Sequence, residues 1–377
     1  MTTACLAPNG MMVYGGDAAC TRLLVGTAHG VSILERAPGK DWSVSGLTME
    51  GYHISSFVLE PVNGGIYCGI HRGHGVFYSS DQGRTWEARG QGLKIDHVFT
   101  MGCAVENGRP VIYAGTEPVG FFRSFDEGKS WEELPSLANA EGRDKWVFPM
   151  KPNIPHVKAM TTDPRNPKRL FAGVEQGGLF VTVDGGVTWR ELEQYAKPTD
   201  ENYRDIHQIV LRPNHPDEVF LTTGMGLYRS ENGGETWEHM TGRYDRVGYP
   251  NQIIFSPADD STLYMCGSHR IPGKWRIEKE ARATVLVSHD LGRNWESAAG
   301  GMPDPMKGNL EGMSTYAWPG GFSLFAGTTD GIVWYSDDGV QWREIATDLG
   351  PVSKVEHYTR LLPDYMPEPG SQPRPHA

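Results

Sequence analysis

The chain has 377 residues, of which 21% are charged, and its formal net charge at pH 7 is −11. This acidic balance argues against a protein that binds a nucleic-acid backbone or an anionic membrane surface, and the lack of a long apolar run predicts no membrane span. Five cysteines without CxxC spacing favour neither a disulfide framework nor a structural zinc site. Because the N-terminus shows no secretion signal, we expect a cytoplasmic location.

A short segment of the form Ser/Thr-x-Asp-x-Gly-x-Thr-Trp recurs along the chain, which also holds 47 glycines and 26 prolines. The copies, of which the first is degraded and the last shortened, are Gly39–Trp42, Ser79–Trp86, Ser124–Trp131, Thr182–Trp189, Ser230–Trp237, Ser288–Trp295 and Ser336–Trp342. Their tryptophans lie 44, 45, 58, 48, 58 and 47 residues apart. Self-similarity at such a period is typical of propellers and other repeat folds.

Each copy follows a pair of predicted strands around a glycine turn, as in RLFAGVEQGGLFVT at 169–182. A further strand, often ending in proline, precedes that pair, as in HISSFVLEP at 53–61. Four short strands in about 45 residues predict a propeller blade. The recurring segment then lies on the hairpin between the third and fourth strands, where its Asp accepts from turn amides, its Gly takes a positive φ and its Trp packs between blades.

The sequence therefore predicts an all-β fold, a single seven-bladed β-propeller over residues 1–363. The blades are expected at about 21–45, 51–90, 95–135, 154–193, 204–241, 248–299 and 308–347. We expect a closing strand at 353–363 to supply the innermost strand of blade one. The proline-rich tail, 364–377, is expected to be flexible.

The recurring segment resembles the Asp-box (BNR) repeat of sialidase-like glycosidases, sortilin-type receptors and the photosystem II stability factor. The resemblance covers about Thr21 to Trp342 and implies a propeller, but it implies no activity, because Asp boxes in this group lie away from the active face. Sialidases also carry an Arg-Ile-Pro near the start, an arginine triad and a Tyr/Glu nucleophile pair. Here Arg270-Ile271-Pro272 stands in blade six, which departs from the sialidase pattern.

In a propeller, function usually sits where the innermost strands begin. Counting back eight residues from the terminal prolines gives His53, His156, Asp205, Tyr249 and Glu311, and His97 takes the same place in blade three. Counting back six gives Lys158, His207, Asn251 and, in the closing strand, His357. The loops between second and third strands add His29, His71, His74, Glu117, Glu175, His269 and Asp330.

Imidazoles that converge on an axis need a partner, and a divalent transition metal (zinc, iron or manganese) supplies one. The best predicted ligand set is His53, His97, His156 and His207, with nearby carboxylates to complete or orient it. The alternatives are a metal-free polar pocket and purely structural histidines. General acid and base roles are predicted for His71, His74, His269, Lys158, Asp205 and Glu311.

Two insertions, Leu137–Asn153 and His269–Ala283, lengthen the repeat and are expected on the same face. They carry aromatic and cationic groups suited to covering a small anionic or aromatic substrate. Predicted substrate-binding residues are Arg72, Arg270, Arg276, Tyr249, Trp146 and Trp275. The insertions are equally consistent with tolerated surface additions.

The leading functional hypothesis is a metal-dependent hydrolase or lyase that acts on a small organic substrate, with no nucleic-acid or membrane partner. A first alternative is a metal-independent glycosidase of the sialidase type, with carboxylate pairs such as Asp205 and Glu311. A second is a non-enzymatic binding or assembly propeller. A third is a four-histidine iron oxygenase, since this constellation on seven blades resembles the carotenoid cleavage oxygenases.

Overall fold

The structure is a computed structural model and describes residues 2–37, 39–148, 153–193, 195 and 204–354. The described residues form thirty strands, a 3-10 helix at Arg143–Lys145 and one α-helix, α1, at Pro272–Glu278. Neither helix has the length and apolar character needed to cross a bilayer.

The strands are short and follow one another in chain order. The N-terminal segment and blades one to three hold β1 (Thr3–Leu6), β2 (Asn9–Gly10), β3 (Val13–Gly15), β4 (Arg22–Thr27), β5 (Gly30–Glu35), β6 (Ser43–Thr48), β7 (His53–Leu59), β8 (Ile66–His71), β9 (Val76–Ser79), β10 (Glu87–Ala88), β11 (Val98–Glu106), β12 (Arg109–Thr116), β13 (Phe121–Ser124) and β14 (Glu132–Glu133). Blades four and five hold β15 (Val157–Asp163), β16 (Asn166–Val174), β17 (Gly178–Thr182), β18 (Arg190–Glu191), β19 (Ile206–Arg212), β20 (His215–Thr223), β21 (Gly226–Ser230) and β22 (Glu238–Thr241). Blades six and seven hold β23 (Tyr249–Phe255), β24 (Leu263–Ser268), β25 (Thr284–Ser288), β26 (Glu296–Ser297), β27 (Leu310–Trp318), β28 (Gly321–Thr328), β29 (Val333–Ser336) and β30 (Arg343–Ala346).

Seven sheets form the seven blades, so the predicted seven-bladed β-propeller is confirmed. Blades two to seven are antiparallel meanders whose first strands are the inner ones, namely β7, β11, β15, β19, β23 and β27. Blade one consists of β4, β5 and β6, with β1 added in parallel at its inner edge. Apolar residues of neighbouring blades pack between the sheets, as where Tyr113 of blade three and Val157 of blade four share one core cluster.

The Asp boxes fold as the sequence predicts. In the first complete box, Asp81 Oδ1 accepts from the Thr85 amide at 2.9 Å and its Oδ2 from the Thr85 hydroxyl at 2.7 Å. The Ser79 hydroxyl accepts from the Gly83 amide at 2.8 Å, and Gly83 has a φ of 80°, a conformation that glycine adopts at little cost. The same position in the later boxes is held by Asp126, Asp184, Asn232, Asp290 and Asp338.

A second repeated device brings the blades together. In the second strand of a blade, a glycine faces the first residue of the next inner strand, as Gly173 does for Ile206. A Cβ at Gly173 would lie 2.5 Å from Ile206 Cγ2, so a larger residue would force the blades apart. In blade seven the glycine, Gly327, faces Val352 in the same way, with its Cβ position 2.9 Å from Val352 Cγ1.

That contact locates the start of the closing segment. Residues 351–354 enter the ring between blades seven and one, where the Ala28 amide donates to Pro351 O and the Val352 amide to Thr328 O. Of the closing strand predicted at 353–363, only Ser353 and Lys354 are described, and neither lies in a strand; residues 355–363 and the tail at 364–377 lie outside the described residues. Within the described residues, β1 and not a C-terminal strand holds the inner edge of the blade-one sheet.

The N-terminal segment, residues 2–16, runs through the channel, which the sequence analysis did not predict. It adds β2 in parallel to the inner strand of blade two and β3 to that of blade seven. Polar side chains of other inner strands bond its backbone: the Gln252 side chain donates to Pro8 O at 2.6 Å, and Asn9 donates to Phe99 O at 3.0 Å. This segment therefore fills much of the channel and leaves its end as the place for a site.

Candidate active site at one end of the channel

Each inner strand from blade two to blade seven carries a β-bulge near its start. In β15, for example, the pairing shifts between Val157 and Ala159, which leaves Lys158 outside the regular ladder. The six bulged residues, which we call the bulge ring, are Ser55, Phe99, Lys158, His207, Asn251 and Glu311. All six are buried. Because a bulge redirects a side chain out of the strand's alternation, one backbone device aims a residue from each blade toward the channel.

The count from the terminal prolines placed most of these residues correctly in the strands. Lys158, His207 and Asn251 are bulged, and the residues two positions earlier in these strands are His156, Asp205 and Tyr249. Glu311 is an exception, since it was aligned with the earlier set but occupies the bulge itself. The reason is that β27 has nine residues, whereas β7, β15, β19 and β23 have seven. Asn309 is thus the residue that corresponds to His156.

In blade four, His156 and Lys158 are held by carboxylates. Glu175 accepts from His156 Nε2 at 2.7 Å and from Lys158 Nζ at 2.5 Å, and Glu117 lies 3.1 Å from His156 Nδ1. Burial acts to lower the pKa of His156, but the two carboxylates outweigh it and raise that pKa. Burial likewise opposes ionisation of Glu175, yet Lys158 and His156 hold its pKa well below the usual range. The Phe99 ring stacks on His156 with centroids 3.8 Å apart.

In blades five and six, Asp205, His207 and Tyr249 form a second group. The Tyr249 hydroxyl donates to Asp205 Oδ2 at 3.3 Å, and His207 Nδ1 donates to Pro250 O at 2.6 Å. His207 Nε2 lies 3.4 Å from Asp205 Oδ2 without hydrogen-bond geometry. Burial lowers the pKa of His207 against the opposing effect of Asp205.

At blade seven, Glu311 meets the closing segment. Its Oε2 accepts from the Ser353 hydroxyl at 3.1 Å and from the Lys354 amide at 3.0 Å, while Asn309 lies 3.4 Å from Oε1. Burial raises the pKa of Glu311 despite these donors. Burial, reinforced by the charge of Lys158, lowers the pKa of Lys354 to about 8. The Lys354 amide thus joins the closing segment to blade seven at the channel end.

The predicted metal ligands do not form a ligand set. His53 Nε2 bonds Ser353 O at 2.9 Å, both nitrogens of His156 face carboxylates, and His207 Nδ1 donates to a carbonyl. The ring of His97 lies 6.3 Å from that of His71, the nearest imidazole recorded for it. Within the described parts of the chain, no three His, Cys, Asp or Glu side chains are grouped so that they could hold a metal ion.

The other predicted histidines and cations are dispersed. His71 is buried between His53 and Phe99, with ring centroids 5.0 and 4.9 Å away. His74 and Arg72 are exposed on the same loop. Outside this group, His269 bonds Asp245 O at 3.2 Å, Arg270 stacks on Tyr244 at 5.8 Å, and His29 is exposed. The side chain of Arg276 and all of His357 lie outside the described residues.

Neither tryptophan of the two insertions is placed to cover a substrate. Trp146 is buried and packs on Phe180, with ring centroids 5.5 Å apart. Trp275 is buried in α1 and donates to Arg270 O at 2.7 Å. Both therefore anchor their insertions. Phe148 of the first insertion does reach the site, with its ring 5.0 Å from that of His156.

Sequence reasoning missed several members of the site: Ser55, Phe99, Asn309 and Lys354. Lys354 was missed because the closing strand was aligned by its proline, which put His357 rather than 353–354 at the channel end. Phe99 was missed because an apolar residue carried no signal for chemistry, although it follows His97 by two residues, as Lys158 follows His156, and lies at the bulge of β11. The repeated bulge, had it been used to align the strands, would have identified Phe99.

Family models match two parts of the chain. Residues 177–304 match the model described as Sortilin-Vps10 (sortilin, neurotensin receptor 3), and residues 77–88 match the BNR/Asp-box repeat. The resemblance to Asp-box propellers is thereby confirmed.

Curated relatives are xyloglucan-degrading enzymes. An oligoxyloglucan-reducing end-specific xyloglucanase of Emericella nidulans is 26% identical over 153 residues, which are 39% of this chain and 17% of that protein. The xyloglucanase Xgh74A of Acetivibrio thermocellus is 26% identical over 187 residues, 42% of this chain and 20% of that protein. The chain thus spans about a fifth of the length of the curated relatives it matches.

Solved structures confirm the fold. An ancestral GH74 enzyme superposes with a TM-score of 0.61 and 18% identity, covering 78% of this chain and 38% of that one. YCF48 bound to a D1 peptide superposes with a TM-score of 0.56 and 14% identity, covering 91% of this chain and 93% of that one.

These findings correct the leading functional hypothesis. The predicted metal-dependent hydrolase or lyase is wrong, because carbonyls and carboxylates engage three of the four imidazoles, those of His53, His156 and His207, and because the curated relatives are xyloglucanases. The same contacts argue against the four-histidine iron oxygenase. The glycosidase alternative fits the relatives better. The expectation of one divalent metal as a cofactor stays a prediction that metal analysis can decide.

Proposed function

We propose that this chain is a metal-independent glycoside hydrolase domain whose reacting groups are Glu311 and Asp205 at the channel end. The observation that carries the proposal is the convergence of carboxyl groups from several blades on lysine, histidine and tyrosine partners. The similarity to xyloglucanases supports an oligosaccharide as the substrate. Two carboxyl groups in different protonation states are what hydrolysis of a glycosidic bond requires.

Glu311 suits the role of general acid. Burial raises its pKa, which extends to higher pH the range in which the carboxyl keeps its proton. In the reaction it gives that proton to the glycosidic oxygen as the bond to the anomeric carbon breaks.

Asp205 suits the role of base or nucleophile. Its recorded contacts, with Tyr249 and His207, are long and use only Oδ2. About 10% of its side chain is exposed, as is 15% of Glu117, so the cluster opens to solvent on this side. Glu175 suits neither role, because both of its oxygens are bonded to Lys158 and His156; it positions those two residues. The anomeric configuration of the first product distinguishes a base from a nucleophile.

The test is hydrolysis of xyloglucan oligosaccharides and 4-nitrophenyl glycosides in the presence of a chelator. We expect Glu311→Gln and Asp205→Asn each to lower kcat/KM by about 10²–10⁴-fold while circular dichroism shows folded protein. The matched control is Asp96→Asn, which removes an exposed carboxylate from a loop at the same end of blade three and should keep its activity. Activity that survives both Glu311→Gln and Asp205→Asn would overturn the assignment.

A second candidate is a peptide-binding propeller, which does not require the buried cluster to meet its ligand. Glu311 is fully buried and Lys158 is 1% exposed, and the chain superposes on nearly the whole of a propeller that is bound to a D1 peptide. This candidate predicts no turnover of any glycoside together with saturable binding of a labelled D1 peptide, measured by fluorescence anisotropy. Hydrolysis without peptide binding decides against it.

A further inference from the structure

On the side of blades five to seven, four buried polar atoms around the channel end lack a hydrogen-bond partner among the described residues. They are Lys354 Nζ, Asn251 Nδ2, His207 Nε2 and Asn309 Oδ1. Leaving such an atom unbonded in the interior costs about 1–3 kcal/mol, and more for a charged group. Four in one place therefore indicate a ligand that supplies the missing partners.

Lys354 cannot find an anion inside the protein. The carboxylate beside it, Glu311, uses Oε2 for the Lys354 backbone amide and the Ser353 hydroxyl, and its Oε1 faces Asn309. The next carboxylate, Glu175, is bonded through both oxygens to Lys158 and His156. The Lys354 ammonium is 1% exposed, so water does not take the place of a counter-ion. An anionic ligand group would.

The residues that carry the four atoms lie at the same end of the channel, although they come from different elements. His207, Asn251 and Glu311 are the bulged residues of blades five, six and seven, which are consecutive. His207 donates to Pro250 O, next to Asn251, and the charge of Lys354 acts on His207. Asn309 and Lys354 both contact Glu311.

The chemistry of the four atoms defines the ligand. Lys354 Nζ and Asn251 Nδ2 are donors and suit a carboxylate. His207 Nδ1 carries the proton that Pro250 O accepts, so Nε2 of the neutral imidazole is an acceptor, and Asn309 Oδ1 is an acceptor as well. Both acceptors suit hydroxyl groups of the ligand. A molecule with one carboxylate and several hydroxyls satisfies all four.

We infer that the channel end binds a sugar acid, with the carboxylate on Lys354 and Asn251 and hydroxyls on His207 and Asn309. The inference rests on the proposed function for its site and names the substrate class, an oligosaccharide that contains a uronic acid. It uses lysine and asparagine where the sialidase pattern has an arginine triad.

The test is isothermal titration calorimetry of the full chain with D-glucuronate and D-galacturonate. D-glucose is the matched neutral probe, acetate is a carboxylate without hydroxyls, and inorganic phosphate is an anion of different shape. We expect a uronate to bind at least about tenfold more tightly than each of these three. Equal binding of acetate or phosphate, or no binding of either uronate, would overturn the inference.

Variants locate the binding. Lys354→Met should weaken uronate binding at least about tenfold and leave the weak binding of glucose unchanged. Asn251→Leu is the second variant, should Lys354→Met fail to fold, and Lys168→Met, an exposed lysine on a hairpin of blade four, is the control. Unchanged uronate binding in Lys354→Met and Asn251→Leu contradicts the inference.

The same proteins separate this inference from the proposed function. Glu311→Gln should bind the uronate yet hydrolyse nothing. A wild type that binds uronates but cleaves no glycoside would refute the hydrolase and keep the ligand class. A wild type that cleaves neutral glycosides but binds no uronate would keep the hydrolase and refute the ligand class.

Discussion

The Asp boxes and the bulge ring are both repeated backbone devices, but they differ in their side chains. The box keeps nearly the same residues in each blade, so that the Asp81 and Asp184 carboxylates make the same three contacts with Ser or Thr neighbours. The bulge ring keeps its backbone shift and changes its residue in every blade, from Ser55 to Phe99 to Lys158. Repetition of a side chain accompanies a folding role, whereas variation at a fixed backbone position accompanies a site.

The two regions also differ in how their polar atoms are satisfied. In the boxes the carboxylate is bonded by its own turn, at the surface, and the contacts reach only four residues along the chain. In the ring the contacts join different blades and the closing segment, as between Glu311 and Lys354, and several atoms remain unbonded. Buried polar atoms without hydrogen-bond partners lower the stability of the fold. Such a loss is expected where polar groups are placed to bind a ligand.

The largest effect on stability is expected at Glu175, which bonds Lys158 of the bulge ring. Glu175→Gln leaves the buried Lys158 ammonium without its carboxylate, and removing one partner of a buried ion pair costs about 3–5 kcal/mol. Equilibrium unfolding in urea at pH 7 measures this loss.

The double variant Glu175→Gln with Lys158→Met is the control for this prediction. Because it removes both charges, it should be more stable than Glu175→Gln alone, with a coupling free energy of about 1–3 kcal/mol. Additive effects of the two substitutions would show that the pair is not coupled and would weaken the contrast between ring and box.

A smaller effect is expected in a box, at Asp184. Asp184→Ala removes the acceptor for the Thr188 amide and hydroxyl and should cost about 1–2 kcal/mol. Hydrogen bonds from Thr188 and Thr182, against burial, lower the pKa of Asp184 to about 2. Its contribution is therefore complete above an unfolded-state pKa of about 4 and is lost as the pH falls toward 2.

The chain offers its own control for this box. Blade five carries Asn232 at the same position, where Oδ1 accepts from the Thr236 amide at 2.9 Å and Nδ2 donates to the Thr236 hydroxyl at 2.9 Å. Asp184→Asn should keep most of the stability at pH 7 and lose the dependence on acid, as followed by thermal unfolding between pH 2 and 6. If Asp184→Asn is as unstable as Asp184→Ala, the stabilisation comes from the charge of the carboxylate and not from the hydrogen bonds of the turn.

The same contrast explains how far the sequence predicted the molecule. The boxes and the seven blades were predicted because identical residues recur at a regular spacing. The path of the N-terminal segment around Asn9 was not predicted. Its contacts with Phe99 and Gln252 form only in the folded propeller and leave no periodic pattern in the sequence. Within the site, counting from proline placed Lys158 and His207 correctly but misplaced Glu311, because strand lengths differ between blades.

The smallest effect is expected from metal removal. His156 faces Glu117 and Glu175 with its two nitrogens, so a metal ion could bind it only by displacing a carboxylate. The two carboxylates also raise the pKa of His156, which favours a proton on the nitrogen whose lone pair a metal ion needs. Dialysis against a chelator should therefore leave both the midpoint of thermal unfolding and any hydrolysis unchanged, with less than about 0.1 equivalent of transition metal in the purified protein by elemental analysis. One equivalent that is lost in His53→Ala and His156→Ala would instead show that the imidazoles rearrange around a metal, and the ring would then be organised by coordination rather than by its ion pairs.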